Sequence, residues 1–357
     1  MALVNLGDYE AKAREVLSGP VLDYYNGGAN DEITLRENSA AFQRIPLYPR
    51  VLRGSAHRER TTMVLGAELL APVIVAPVAL VGMAYPDGDA VVARAVGAAG
   101  SIYVLSSFST VPVERVVAEA PGRVWFQLYV YKDRAATEAL VQRIEAAGCT
   151  ALEVTVDAPI LGTRERDVRN SFELPHDLWA PNLSADATTL AAVPAGMSPF
   201  AATFDALVDP GLTWDDVAWL KSVTSLPVLV KGIVRADDAV RAVDAGASGV
   251  VVSNHGGRQL DTAPATIDVL PAITQAVDGR AEILVDGGVR RGTDVLKALA
   301  LGASAVQVGR PILWGLLVDG EKGVADVLAI LQREIDHAMA LCGCRSVTEI
   351  TLDLVRP

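Results

Sequence analysis

An apolar run passes directly into a polar, glycine-containing segment at Ala247-Ser248-Gly249-Val250-Val251-Val252-Ser253-Asn254-His255-Gly256-Gly257-Arg258-Gln259-Leu260-Asp261. The run that ends at Val252 predicts a strand buried on both faces, as in a parallel sheet. Gly256 and Gly257 predict a sharp turn and would let the backbone approach a flat ligand closely. His255 can move a proton and Arg258 can hold an anion, so the turn is a candidate catalytic site. The alternative is an ordinary polar loop after a strand, and the rest of the chain decides between the two.

The same succession of a short apolar strand, a loop and an amphipathic helical segment occurs eight times from about Gly66 onward. The predicted strands are Val73–Ala76, Tyr103–Ser106, Val124–Leu128, Leu152–Val156, Val228–Lys231, Gly249–Ser253, Ile283–Asp286 and Ala305–Gly309. Helices are predicted between them, including Asp87–Gly100, Arg134–Ala147, Ala236–Ala245 and Thr293–Leu301. Eight such units predict the α/β class and a closed (β/α)8 TIM barrel.

Two segments lie outside this repeat. Residues 1–65 form an N-terminal helical extension, with helices predicted at Asp8–Leu17 and Asp31–Phe42, and residues 66–357 form the barrel. Residues 170–212 make a long loop after the fourth strand; such connections are often active-site lids, and a surface insertion is an equal alternative. No linker or low-complexity tract divides the chain, so we expect a single domain over residues 1–357.

The composition limits the possible partners. The chain of 357 residues is 51% hydrophobic and 21% charged, which is enough apolar material for a large core. Acidic residues outnumber basic ones by 43 to 31, and the net charge is −12. This balance argues against nucleic acid or an anionic membrane as a partner, although local arginines could still bind an anionic substrate.

Membrane insertion and secretion are both disfavoured by the sequence. The uncharged segment from Leu69 to Pro86 approaches the length of a spanning helix, but its internal prolines favour a buried strand with flanking loops. The three cysteines, Cys149, Cys342 and Cys344, include no CxxC pair, and the N-terminal residues lack a signal-peptide pattern. We therefore expect a cytoplasmic protein.

Polar residues follow the predicted strands at the end where the active site of such a barrel lies. They are Ser106, Gln127, Tyr129, Thr155, Asp157, Arg164, Lys231, Ser253, His255, Arg258, Asp286, Arg290 and Arg310. The glycine-rich loops after the last two strands, with Gly288 and Gly309, are typical of a phosphate site. A mononucleotide fits better than a dinucleotide, because no GxGxxG motif follows the first strand.

The residues of these loops alone are compatible with other functions. A flavin barrel that isomerises a diphosphate would need more phosphate-binding residues, and a flavin-free barrel would need a nucleophilic cysteine at a strand end. A non-catalytic binding barrel would not need a base with a carboxylate partner. The remaining histidines, His57, His176 and His337, are predicted to be surface or structural, and no cluster predicts a metal.

Nearly the whole chain resembles the FMN-dependent 2-hydroxy-acid oxidase and dehydrogenase family, which includes glycolate oxidase, lactate oxidase and mandelate dehydrogenase. The matching stretches are Asp23-Tyr24-Tyr25, Gln127-Leu128-Tyr129, Thr155-Val156-Asp157, Arg164, Leu229-Val230-Lys231-Gly232, Ser253 to Asp261, Asp286 to Asp294 and Gly309-Arg310-Pro311. The resemblance implies FMN as cofactor, oxidation of a 2-hydroxy acid to a 2-oxo acid, and a homotetramer.

The resemblance also implies a role for each residue. His255 would be the base and Asp157 its partner, Arg164 and Arg258 would bind the substrate carboxylate with Tyr24, and Tyr129 would hydrogen-bond the substrate. The residues implied to hold FMN are Pro77, Val78, Ala79, Ser106, Gln127, Thr155, Lys231 and Ser253 around the ring, Asp286 at the ribityl chain, and Gly288, Arg290, Gly309 and Arg310 at the phosphate.

The part of the predicted pocket that would receive the side chain of the substrate favours a bulky group. Glycolate oxidase-like members of the family carry a tryptophan where this chain has Phe108. Phe108, Leu161 and Met83 offer apolar contact, while Ala79 and Gly82 leave space, which suits an aryl group. The resemblance of the whole chain further implies (S)-4-hydroxymandelate or mandelate as the substrate, in the synthesis of a glycopeptide antibiotic precursor, with glycolate or L-lactate as the alternatives. Ala79 resembles the residue found in oxidases rather than in several dehydrogenases, which favours O2.

Overall fold

The computed structural model describes residues 2–17, 19–170, 172, 180–183 and 199–356. Its strands are β1 (Thr62–Val64), β2 (Ala67–Leu69), β3 (Val73–Val75), β4 (Tyr103–Ser106), β5 (Val124–Leu128), β6 (Leu152–Thr155), β7 (Val228–Ile233), β8 (Gly249–Val252), β9 (Glu282–Val285) and β10 (Ala305–Val308). Strands β3 to β10 pair in parallel and close into a barrel in the order β10-β3-β4-β5-β6-β7-β8-β9. The predicted (β/α)8 barrel is therefore confirmed, and each predicted strand lies within two residues of its observed bounds.

Helices connect the strands and also precede and follow the barrel. They are α1 (Leu6–Val16), α2 (Pro20–Asn26), α3 (Ile33–Gln43), α4 (Gly88–Ala98), α5 (Val113–Glu119), α6 (Arg134–Ala147), α7 (Glu165–Arg169), α8 (Pro199–Leu207), α9 (Trp214–Val223), α10 (Ala236–Asp244), α11 (Thr266–Val277), α12 (Gly292–Ala300) and α13 (Arg310–Cys342). Helix α13 is interrupted at Asp319 and Gly320, whose backbone is not helical. The predicted helices match α1, α3, α4, α6, α10 and α12, whereas α2 and the length of α13 were not predicted.

The barrel interior is apolar through most of its depth. Side chains from alternate positions of the strands meet there, and they include Ile74, Val104, Trp125, Leu229, Val251 and Leu284. Val64 and Leu69 of the β1–β2 hairpin pack against this cluster and cover one end of the barrel. The polar site is therefore confined to the other end, where the strands terminate.

The N-terminal extension is attached directly to the loop that follows β8. Asn38 and Asn254 exchange two side-chain hydrogen bonds of 2.9 and 2.8 Å. The backbone N–H of Thr34 donates to Asp261 at 2.9 Å, and that of Ala29 donates to the Gly257 carbonyl at 2.9 Å. These bonds place Tyr24 and Tyr25, at the end of α2, beside the strand termini.

The uncharged segment from Leu69 to Pro86 contains β3 and loops, as the sequence predicts. Within the described ranges, no helix has both the length and the apolar character needed to cross a membrane.

Candidate active site

One cavity at the C-terminal ends of the strands collects the predicted site residues. The predicted residues that line it are Tyr24, Pro77, Val78, Ala79, Ser106, Phe108, Gln127, Tyr129, Thr155, Leu161, Arg164, Lys231, His255, Arg258, Asp286, Gly288, Arg290, Gly309 and Arg310. The two remaining predicted residues, Asp157 and Ser253, lie directly behind the residues that line the cavity. Asp157 contacts His255, and Ser253 contacts Lys231.

Met83 and Gly82 do not line this cavity, contrary to the expectation that they shape its substrate end. The chain adopts a left-handed conformation at Leu80, with φ of 60°, and then enters a short 3-10 helix over Val81–Met83. This turn carries both residues away from the strand ends, so the substrate wall is formed by other side chains.

His255 and Asp157 form a hydrogen-bonded pair, with 2.9 Å between Nδ1 of His255 and Oδ1 of Asp157. This contact leaves Nε2 as the ring nitrogen that is available for proton transfer. Burial lowers the pKa of His255 below its ordinary value, although Asp157 acts in the opposite direction. Burial favours a higher pKa for Asp157, but His255 and Lys231 outweigh it and lower that pKa. At neutral pH the pair is therefore a neutral imidazole beside a carboxylate, which is a competent base.

The loop that carries His255 has an unusual backbone. His255, Gly256 and Gly257 are consecutive left-handed residues with φ of 59°, 63° and 75°. Such a conformation in a non-glycine residue is strained and is often found at functional sites. A Cβ atom at Gly257 would lie 2.5 Å from the backbone nitrogen of Leu35. The close approach made possible by Gly257 is therefore to the N-terminal extension, and not to a flat ligand as the sequence suggested.

Two arginines and a tyrosine form a cationic corner of the cavity. The guanidinium carbons of Arg164 and Arg258 lie 5.7 and 5.3 Å from the centre of the Tyr24 ring. Arg258 donates to the Gly27 carbonyl at 2.8 Å, while Nε and Nη1 of Arg164 are buried without a partner. Burial, together with repulsion from Arg164, lowers the pKa of Arg258 to about 10. A carboxylate bound here would satisfy donors that otherwise lack a partner.

Lys231, within β7, contributes a further cation to the lining of the cavity. Its Nζ donates to Ser253 at 2.8 Å and lies 3.1 Å from Oδ2 of Asp286. Burial opposes its charge, but Asp286, Asp157 and Glu153 together raise the pKa of Lys231 above its ordinary range. Lys231 is therefore a fixed cation at neutral pH.

A network of neutral polar groups also lines the cavity. The amide Nε2 of Gln127 donates to Thr155 at 3.0 Å, and its Oε1 accepts from the Ser107 backbone N–H at 3.2 Å. Ser106 also lies within hydrogen-bonding distance of Gln127, at 3.4 Å. These hydrogen bonds hold the residues in position relative to one another.

The cavity fits FMN because it contains an excess of buried positive charge. Four guanidinium groups line it, from Arg164, Arg258, Arg290 and Arg310, and no ion pair found among the described residues includes any of them. Arg310 bonds only backbone carbonyls, and burial together with the other three arginines lowers its pKa well below the usual value. A phosphate near Arg290 and Arg310 and a substrate carboxylate near Arg164 and Arg258 would balance this charge. Oδ1 of Asp286 is also buried without a partner, as expected of an acceptor for a sugar-alcohol hydroxyl.

Part of the cavity wall is aromatic. Phe108 lies 5.2 Å from Phe200 and 6.0 Å from Phe204, and Phe204 lies 4.9 Å from Tyr129, as ring-centre distances. Phe200 and Phe204 belong to α8 and were not predicted as site residues. Their spacing of four residues puts them on one helix face, which was a signal that the sequence did contain.

The histidines outside the strand-end set lie where they were expected, as far as they are described. His57 and His337 are exposed, and His176 lies outside the described residues. Over the described ranges no group of histidine, cysteine or carboxylate side chains has the arrangement of a metal site.

Comparisons with known proteins agree on one family. Residues 13–357 match the family described as FMN-dependent dehydrogenase. L-lactate oxidase of Nostoc sp. is 50% identical, over 97% of this chain and 96% of its own length. The 2-hydroxyacid oxidase 1 of Homo sapiens is also 50% identical, over 99% of this chain and 96% of its own. A solved structure of mandelate oxidase with (S)-4-hydroxymandelic acid has a TM-score of 0.93 and 45% identity, and covers 98% of this chain and 97% of that one.

Proposed function

This chain belongs to the FMN-dependent dehydrogenase family, with 2-hydroxy-acid oxidases as relatives, and we propose that it oxidises (S)-4-hydroxymandelate or mandelate to the arylglyoxylate, with O2 reduced to H2O2. FMN is its cofactor and the oxidation of a 2-hydroxy acid is its class of reaction. The observation that supports an aryl substrate is the wall of Phe108, Phe200, Phe204 and Tyr129 beside the cationic corner.

His255 is the base of this reaction. Its free Nε2 takes the proton of the substrate hydroxyl, and Asp157 stabilises the imidazolium that results. Because Asp157 also accepts a hydrogen bond from Nδ1, it fixes the tautomer in which Nε2 can accept a proton. Tyr129, which faces the same space, orients the substrate by a hydrogen bond from its phenol.

Arg164 and Arg258 hold the substrate carboxylate, with Tyr24 between them. Two guanidinium groups fix both the position and the plane of a carboxylate, which a lysine would do less well. The α-carbon then lies between the carboxylate site and His255, with the aryl group against Phe108 and Phe204.

FMN, when bound, accepts the two electrons released from the substrate. Lys231, Gln127, Thr155, Ser106 and Ser253 would hold its ring, and Asp286 its ribityl chain. Gly288, Arg290, Gly309 and Arg310 would hold its phosphate at the start of α13.

The electron acceptor and the pathway are parts of the same proposal. Ala79 lines the cavity and resembles the residue of oxidases, which supports O2. An arylglyoxylate is the keto acid from which amino-group transfer yields an arylglycine, which supports a role in making a glycopeptide antibiotic precursor.

The test is the loss of flavin absorbance under anaerobic conditions. The FMN-loaded protein is mixed separately with (S)-4-hydroxymandelate, (S)-mandelate, glycolate and L-lactate. We expect rapid bleaching by the aryl acids, and recovery of the colour with formation of H2O2 when air is admitted. Faster bleaching by glycolate or L-lactate would show that a small hydroxy acid is preferred to an aryl one, in line with the relative named L-lactate oxidase. No bleaching by any of the four acids would contradict the roles given to His255, Arg164 and Arg258.

A further inference from the structure

Two polar side chains meet inside the otherwise apolar barrel, directly beneath the cavity. Glu153 on β6 and Gln307 on β10 are completely buried, with exposures of 0% and 1%. Nε2 of Gln307 donates to Oε2 of Glu153 at 2.5 Å. In the closed order of strands, β6 and β10 are four positions apart in either direction, so this bond crosses the full width of the barrel. Gln307 also lines the cavity, whereas Glu153 does not.

The pair is incompletely satisfied, which a purely structural bond would not explain. Oε1 of Glu153 and Oε1 of Gln307 are both buried without a partner. A buried carboxylate without full hydrogen bonding is costly, and apolar side chains would fill the same space without this penalty. Of the two residues in register with Glu153 on the adjacent strands, Leu229 is apolar and Gln127 is a neutral amide, and other interior positions are filled by apolar residues such as Trp125 and Val251.

The charges that face Glu153 come from three directions. Lys231 on β7 is the cation, and Asp286 after β9 and Asp157 after β6 are the anions, with His255 beyond Asp157. Lys231 is already paired with Asp286 at 3.1 Å, so an ionised Glu153 adds a negative charge that has no cation of its own. The other strands contribute uncharged side chains to the interior. Burial raises the pKa of Glu153 to about 7, although Lys231 and the hydrogen bond from Gln307 lower it.

We propose that Glu153 is a proton acceptor coupled to the reduction of FMN, and that it sets the potential of the bound cofactor through Lys231 and Gln307. When two electrons pass to FMN, negative charge is added beside Lys231, and the ionised form of Glu153 becomes less favourable. A proton from the solvent then binds the Glu153 carboxylate, and it is released when FMN is reoxidised. The electrons come from the hydroxy acid, so no further reactant is needed. Glu153 acts through its neighbours and is a positioning residue rather than a catalytic one.

The proposal rests on FMN binding but not on the identity of the substrate, and its test therefore uses dithionite as the reductant. The midpoint potential of the FMN-loaded protein is measured with redox mediators on both sides of neutral pH. Glu153→Gln imitates the protonated carboxyl. Above neutral pH we expect the midpoint potential of Glu153→Gln to be higher than that of the wild type by about 30 mV. For a two-electron couple this corresponds to about a tenfold change in the reduction equilibrium. Below neutral pH the two potentials should converge.

The matched control is Glu282→Gln, which removes a carboxylate from the first residue of β9, at the end of that strand away from the cavity. We expect its potential to follow that of the wild type at every pH. Parallel curves for wild type and Glu153→Gln would overturn the proposal.

A second measurement needs no variant and remains informative if Glu153→Gln fails to fold or to bind FMN. Infrared difference spectra of the reduced minus the oxidised wild type, above neutral pH, should show a gain of the carbonyl band of a protonated carboxyl. Isotopic labelling of glutamate should move this band. Absence of a glutamate-sensitive gain would equally reject Glu153 as the proton acceptor, whatever hydroxy acid the protein oxidises.

Discussion

The Nδ1 atom of His255 lies 2.9 Å from Oδ1 of Asp157, which joins two loops that are 98 residues apart in the chain into one proton-transfer pair. The pair depends on the parallel barrel, because β6 and β8 each end at the same rim and β7 separates them by only one strand. Neither loop alone contains both the base and the group that stabilises its protonated form.

Replacement of Asp157 by asparagine should alter both the rate and the pH profile. Asp157 raises the pKa of His255 against the effect of burial, so its removal lowers that pKa further. The base is the neutral imidazole; the acidic limb of kcat/KM should therefore move to lower pH in Asp157→Asn. The rate at neutral pH should fall by about 100-fold or more, because the imidazolium is no longer stabilised. Steady-state kinetics over a pH series measures both effects.

The control for this variant is Asp215→Asn, which changes an exposed aspartate in the first turn of α9. Its pH profile should coincide with that of the wild type. An unchanged acidic limb in Asp157→Asn would mean that the limb reports a group other than His255.

Substitution of Arg164 by lysine should weaken substrate binding and leave FMN in place. Arg164 presents two buried donors without partners to the cavity, and lysine cannot reproduce their planar geometry. A hydrogen bond to a charged group contributes about 1.5–3 kcal/mol, so KM should rise by roughly 10- to 100-fold. The flavin absorbance per protein should not change, because Arg290 and Arg310 carry the proposed phosphate site.

Arg169→Lys is the matched control for this change. Arg169 is the last residue of α7, the short helix that Arg164 directly precedes, but its side chain is 71% exposed and pairs with Glu165. Equal KM values for Arg164→Lys and wild type would place the substrate carboxylate elsewhere.

Much of the fold and the site could be predicted because the chemistry follows the strand pattern. Short runs rich in valine indicate strands buried on both faces. In a parallel barrel the polar residues that follow these strands all lie at the same end, where the active site is. His255 and Asp157 follow β8 and β6, and Lys231 lies within β7; His255 and Lys231 line one cavity, and Asp157 contacts His255 from behind its wall.

The features that could not be predicted depend on contacts between distant segments. Gly257 is needed for the approach of Leu35, which belongs to the N-terminal extension. Phe204 contacts Tyr129 because α8 ends beside the residues that follow β5, where the backbone N–H of Asp209 donates to Val130 at 3.0 Å. Glu153 is a charged residue within a predicted buried strand, and this conflict is visible in the sequence. Its contact with Gln307 could not be predicted, because the two residues are 154 positions apart in the chain.

Gly288 should be intolerant of a side chain. Its φ is 84°, and a Cβ atom would lie 2.1 Å from the carbonyl oxygen of Asn38. In Gly288→Ala the left-handed conformation costs about 1–2 kcal/mol, and the displacement of α3 adds to this. We expect a lower Tm and less bound FMN than in the wild type, as measured by thermal unfolding and flavin absorbance.

Gly122→Ala separates the two contributions. Gly122 has a similar φ of 72° but nothing within 4 Å of the position that a Cβ atom would take. This control should lower the Tm by the backbone effect alone and retain its FMN. If both variants lost the same stability, the contact with Asn38 would not matter.

The aromatic wall should decide which hydroxy acid is preferred. Phe108 packs against both Phe200 and Phe204, so a larger side chain at this position must extend into the cavity. We expect Phe108→Trp to lower kcat/KM for (S)-mandelate by about tenfold or more relative to glycolate, since a few extra atoms in an apolar pocket change discrimination by about 1–3 kcal/mol. Phe108→Leu keeps the space and should retain the preference for the aryl acid. Because the ratio compares two substrates on one protein, a general loss of activity cancels, and only a change in the shape of the pocket can alter it. If Phe108→Trp and Phe108→Leu had the same ratio as the wild type, the aryl group would not contact this wall, and the substrate proposal would lose its main support.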